Sequence, residues 1–156
     1  MGAQTNITPA DQLERDQALD IEKSFIVQAP AGSGKTGLLT LRFLRLLSVC
    51  EQPEQVLAIT FTRKAASEMR DRIINTLWWA AEHIDNSTSI KNNYDVLRLR
   101  IAKAVLSRDQ ELKWQLLNNP SRLRVQTIDS FCFYLANRLP VLSQIGGNPN
   151  VSTEVE

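Results

Sequence analysis

Apolar residues run along this chain in two rhythms: short continuous stretches, and longer stretches spaced by three or four. Short apolar runs bounded by turn residues fit buried strands, and positions at i, i+3, i+4 and i+7 fit one face of a helix. Ser24-Phe-Ile-Val-Gln-Ala29, ended by Pro-Ala-Gly-Ser-Gly, predicts a first strand. Gly34 to about Val49 predicts a helix. It is apolar on most sides (Leu38, Leu39, Leu41, Phe43, Leu44, Leu46, Leu47) and so is expected to lie between layers. Val56 to Thr60 predicts a second buried strand, and Thr62 is placed to N-cap the helix after it. In that helix Ala66, Met69, Ile73, Leu77 and Ala80 share one face, with Lys64, Glu68, Asp71 and Arg72 opposite. Trp78, beside Ile74, is expected in the core. Trp79 falls on the side of Arg72 and Asn75, at an interface or partly covered by the polar loop Asp85–Asn93.

The rest of the chain continues the alternation. Pro9 to Asp20 suggests a short helix, and Tyr94 to about Leu117 a longer one, with a break allowed near Ser107. Asn118-Asn-Pro-Ser121 is a turn, and Leu123 to Gln126 a third strand. Ile128, Phe131, Cys132, Leu135 and Leu139 then mark a last amphipathic helix, ended by Pro140. Strands alternating with helices predict an α/β fold, a parallel sheet flanked by helices. Three strands make that sheet incomplete. The expected organisation is a flexible terminus over 1–10, one domain over 11–142, and an irregular tail over 143–156.

Composition narrows the class. Hydrophobic residues make up 43% and charged residues 22%, as in soluble globular domains. A net charge of +1 gives no global field toward nucleic acid, so any such contact needs a local patch. Cys50, Cys132 and His83 lack the spacing of a zinc site and read as two buried thiols and a surface or capping histidine. Met1–Ile7 lacks the features of a signal peptide. The run Gly37–Val49 is short for a bilayer and broken by Arg42 and Arg45, so a cytoplasmic protein with no membrane partner is expected.

Three motifs carry chemistry. Ala29-Pro30-Ala31-Gly32-Ser33-Gly34-Lys35-Thr36 matches the P-loop, with Ala in place of the first Gly. Gly32 and Gly34 allow backbone N–H groups to turn toward phosphate oxygens, and the helix start adds its dipole. Lys35 is placed for the terminal phosphates and the Thr36 hydroxyl for magnesium. MgATP is thus the expected cofactor. Thr60-Phe-Thr-Arg-Lys-Ala-Ala-Ser-Glu-Met-Arg70 follows the second strand. Phe61 beside Thr62 and Arg63 suits stacking on a base with backbone contacts, or else Phe61 belongs to the core above a solvated Arg-Lys face. Gln126-Thr-Ile-Asp-Ser-Phe-Cys132 lies at the third junction. There Thr127 and Ser130 could hold a phosphate, although Thr127 or Asp129 as a plain N-cap is the better reading of that motif alone.

Taken together and in this order, the three motifs resemble those of superfamily 1 DNA helicases of the UvrD/Rep type. The spellings QAPAGSGKT and TIDSFC are most similar to the RecB/AddA helicase–nuclease branch. The resemblance runs from about Leu13 to the end of the chain. It implies a RecA-like P-loop NTPase domain and ATP-dependent 3′-to-5′ unwinding in repair and recombination. It also implies phosphate and magnesium contacts at Lys35 and Thr36, and single-stranded DNA along Phe61, Thr62, Arg63, Thr127 and Ser130. Its implied partners are downstream helicase domains or a partner nuclease–helicase subunit. The sequence departs from the pattern in three places. Gly37 stands where many members carry Arg. Arg15 falls where a Q-x-x-A spacing to Ala18 would put glutamine. No DExx carboxylate pair follows Phe131. Nucleotide binding without hydrolysis is therefore expected of this chain, as an N-terminal piece of a longer protein. A non-catalytic interaction fragment, or another P-loop enzyme such as a small-molecule kinase, are the alternatives.

Overall fold

A computed structural model of the chain describes residues 11–83 and 92–138. The expected terminus over 1–10, the tail over 143–156, Pro140 and most of the Asp85–Asn93 loop lie outside these residues. The described elements are α1 (Gln12–Gln17), α2 (Lys35–Leu47), β1 (Leu57–Thr60), α3 (Arg63–Glu82), α4 (Asn93–Leu112), β2 (Arg124–Thr127) and α5 (Ile128–Arg138). Short 3-10 turns at Pro53–Gln55 and Pro120–Arg122 precede the two strands.

β1 and β2 pair in parallel, with Leu57 opposite Arg124 and Thr60 opposite Thr127. The crossover between them carries α3 and α4, as a parallel pair requires. The fold is thus α/β, but among the described residues the sheet has two strands rather than three. Phe25 to Ala29 runs without secondary structure, and Ile26 is 99% exposed. An apolar, β-branched run becomes a strand only where a neighbour accepts its ladder bonds, and no neighbour is paired with it here.

The core lies between helices. Leu41, Phe43, Leu44 and Leu47 of α2 meet Met69, Ile73, Leu77 and Ala80 of α3 and Leu99, Ile101, Ala102 and Val105 of α4. Each fully buried Leu or Ile contributes roughly 1.5–3 kcal/mol relative to exposure. The predicted face of α3 is the buried one. α2 is less enclosed than its composition predicts, because Leu39 is 47% exposed. α4 runs unbroken past Ser107 and stops at Leu112, where Lys113 turns left-handed at φ 56°.

Three further expectations are corrected. Trp78 is 48% exposed, while Trp79 packs against the core, capped by the Arg98 guanidinium of α4 at 4.4 Å from the ring centroid. Neighbouring helix positions differ by 100°, and the placement of α4 decides which one is covered. Cys50 is half-buried and Cys132 exposed, so neither is a core thiol. α5 forms as predicted, but none of its residues is buried, and Ile128 and Leu135 stand more than two-fifths exposed.

Polar ties close the seams. Arg122 grips Glu54 with two bonds, Nε to Oε1 at 2.6 Å and Nη2 to Oε2 at 3.0 Å. That pair joins the entries of both strands and holds the Glu54 carboxyl below its usual range. Trp114 Nε1 and Arg108 Nε donate to the carbonyls of Glu51 and Cys50, fixing the turn before β1 to the end of α4.

Candidate nucleotide and nucleic-acid site

The motif over 29–36 passes from loop into helix at Gly34, the N-cap of α2. Gly32 and Gly34 both adopt left-handed φ values, 78° and 85°. These conformations are costly for any residue with a Cβ, which accounts for glycine at both places. No side chain caps α2. The amides of its first turn are therefore left without the acceptor that a Ser, Thr or Asp cap supplies, and a helix start of this kind favours an anion. Thr36 sits exposed in that first turn. Its hydroxyl is an oxygen of the type that magnesium takes. Lys35 bends back on the loop and donates its ammonium protons to the carbonyls of Ala29 and Pro30.

Two arginines brace this loop and the segment before it. Arg15 of α1 donates Nη2 to the Ser33 carbonyl at 2.8 Å and pairs with Asp11 at 2.8 Å. The bond from Arg15 lowers the Asp11 pKa. Arg42 of α2 donates to the carbonyls of Ala18, Asp20 and Lys23, and lies 5.3 Å from the Phe25 ring centroid. Neither role follows from apolar periodicity; the signals in the sequence are an arginine interrupting the apolar run at position 42 and one at the spacing of Arg15 to Ala18.

Beside the loop, a cavity of about 1050 Å³ opens between α1, α2 and the start of α4, lined among others by Gln12, Arg15, Gly34, Gly37, Tyr94 and Arg100. A Cβ at Gly37 would come within 3.2 Å of the Tyr94 hydroxyl. A side chain at position 37 would thus need the half-exposed Tyr94 to shift slightly.

The other two motifs lie together. Because Thr60 pairs with Thr127, both strand-to-helix junctions stand at the carboxyl end of the sheet, where open α/β sheets place ligands. Phe61 is 89% exposed, and Arg63 beside it is exposed. Thr62 accepts the Ala65 amide at 3.1 Å and caps α3. Thr127, 6% exposed, accepts the Ser130 amide at 3.2 Å and shares a hydroxyl bond of 2.9 Å with the Ser130 side chain. Ser130 itself is exposed. Among the described residues no group of His, Cys, Asp and Glu is spaced to hold a metal, and no helix is long and apolar enough to cross a membrane.

Comparison with known proteins decides the family. The profile of the UvrD/REP helicase N-terminal domain matches residues 10–154. The chain belongs to the UvrD/Rep helicase family. It is similar to an ATP-dependent helicase/nuclease subunit of Acetivibrio thermocellus, 38% identical over 79 residues, covering 49% of this chain and 6% of that protein. The ATP-dependent DNA helicase UvrD1 of Mycobacterium tuberculosis is 39% identical over 103 residues, covering 61% of this chain and 13% of that protein. The ATP-dependent DNA helicase Rep of Buchnera aphidicola is 38% identical over 80 residues, 51% of this chain and 11% of that protein. The chain therefore spans only a small part of the length of these UvrD/Rep-family relatives. No solved structure matches it significantly.

Proposed function

We propose that this chain is the nucleotide-binding part of a RecA-like P-loop domain in an ATP-dependent 3′-to-5′ DNA helicase of repair and recombination. One observation carries the reading: α2 starts uncapped at a left-handed Gly34, with Lys35 and Thr36 in its first turn. Residues 29–36 would take the phosphates of MgATP. Lys35 leaves the Ala29 and Pro30 carbonyls for the terminal phosphates, and the Thr36 hydroxyl holds magnesium. Phe61 stacks on a base of single-stranded DNA, Arg63 meets its backbone, and Thr62, Thr127 and Ser130 border the same track. Thr62 and Thr127 contribute mainly as caps that fix the two junctions, since their hydroxyls are already engaged.

Hydrolysis needs a second acid for magnesium and a positioned water. The sequence holds no DExx pair, so the chain binds nucleotide without turning it over, and catalysis belongs to the assembled helicase. The bare apolar residues Ile26, Ile59 and Ile128 support contact with further helicase domains or with a partner nuclease–helicase subunit. The deciding experiment is a calorimetric titration of MgADP into the chain and into Lys35→Ala. Binding by the first and none by the second is the expected result; equal affinity would remove the P-loop reading. DNA-stimulated ATPase activity that is lost in Lys35→Ala would overturn the assignment of hydrolysis to other parts of the helicase.

A further inference from the structure

We propose that Arg15 is a positioning residue: it fixes the Ser33–Gly34 peptide and thereby sets the grip of the loop on phosphate, an inference that rests on the nucleotide reading above. The geometry begins with α1. None of the residues over Gln12–Gln17 is buried and Leu13 is 67% exposed; the helix is anchored at its end by the buried Ala18. Arg15 is directed at the loop. Its Nη2 donates to the Ser33 carbonyl at 2.8 Å and lies 2.8 Å from the Asp11 carboxylate, so one nitrogen links α1 to the loop and Asp11 orients it. Its Nη1 stands 3.4 Å from where a Cβ on Gly34 would lie.

The peptide between Ser33 and Gly34 is planar and trans, as every described peptide here is. Holding its carbonyl toward Arg15 turns the Gly34 N–H the opposite way. The two residues that give this loop its shape, Gly32 and Gly34, have the least intrinsic conformational preference, so the peptide's orientation needs an outside tie. Arg15 Nε and Ser33 Oγ are enclosed at this contact without a protein hydrogen-bond partner.

The test uses the whole 156-residue chain, with hydrogen exchange read by mass spectrometry and MgADP affinity read by calorimetry. In Arg15→Ala the segment over 29–36 should exchange about tenfold faster, with exchange in α3 and α4 unchanged, and MgADP affinity should fall about tenfold, as expected for one lost hydrogen bond to a charged donor. Arg15→Lys, which keeps a donor for the Ser33 carbonyl, should recover part of both. Unchanged loop exchange in Arg15→Ala overturns the proposal. So does acceleration of the α3–α4 core together with the loop, which would make Arg15 an ordinary stabilising contact. A wild-type chain that binds no MgADP, while Arg15→Ala still loosens the loop, would instead overturn the nucleotide reading and leave the tie itself standing.

Discussion

Three helices in this chain begin within candidate motifs, and they begin in two different ways. α3 and α5 are capped by threonines: Thr62 takes the Ala65 amide and Thr127 takes the Ser130 amide. α2 begins at Gly34, which has no side chain to offer. A threonine cap satisfies a free amide at the helix start internally. A glycine cap leaves that task to something else, and at residues 29–36 the surroundings supply an ammonium, a hydroxyl and an arginine brace rather than an acceptor. The first two junctions are thus finished structures that present side chains. The third is an unfinished one that presents backbone.

The largest effect separating the two kinds of junction is expected at Phe61. Its ring is 89% exposed, so Phe61→Ala should leave the melting temperature unchanged. If the ring stacks on a base, the same substitution weakens single-stranded DNA binding by roughly 1–3 kcal/mol. Fluorescence anisotropy at low salt reads the loss, and unchanged affinity would remove Phe61 from the DNA track. Next is Gly34→Ala. A Cβ there meets only an ordinary contact with Arg15, so the cost is conformational, roughly 1–2 kcal/mol for a left-handed alanine. It should appear as lost stability together with weakened MgADP binding. Thr62→Ala should cost about 1 kcal/mol of stability through the lost cap, with MgADP affinity unchanged and Thr62→Ser restoring the loss. If Thr62→Ala weakened MgADP as much as Gly34→Ala does, the division between finished and unfinished junctions would fail.

Much of this contrast is legible in the sequence, and the remainder fails for physical reasons. Gly32 and Gly34 announce left-handed turns, and Thr62 announces its own capping role, because both are local properties of the backbone. β1 and β2 fall within a residue of the predicted Val56–Thr60 and Leu123–Gln126. The strand expected over 24–29 does not form, although its run of Phe25, Ile26 and Val27 suits a strand. Pairing is a property of two segments, and the sequence of one does not reveal whether the other is at hand. The amphipathic α5 shows the same limit: its apolar positions are periodic, yet none of its described residues is fully buried. Arg15 and Arg42 are not legible as braces because each donates to carbonyls 18 to 24 residues away. Apolar periodicity is blind to side-chain-to-backbone bonds of that span.

The smallest predicted effect tests whether the finished junctions depend on the sheet entries behind them. Glu54 and Arg122 clamp the residues leading into β1 and β2, and the Arg122 bond lowers the Glu54 pKa. A carboxylate whose pKa is lowered in the folded state binds protons less readily there than in the unfolded chain. Its contribution is therefore fully present above the unfolded value of about 4.3 and is lost as pH falls through the lower folded value. Glu54 is 39% exposed, so solvent screening keeps the pair to about 0.5–1 kcal/mol even with its two-bond geometry. Denaturant melts at pH 7 should show Glu54→Gln less stable by that amount, with the gap closing toward pH 3. Asp11 and Asp20 also have lowered pKa values, but they titrate alike in both proteins, so the difference between the two curves isolates Glu54. A gap that persists unchanged at pH 3 would mean that Glu54 acts through packing rather than charge.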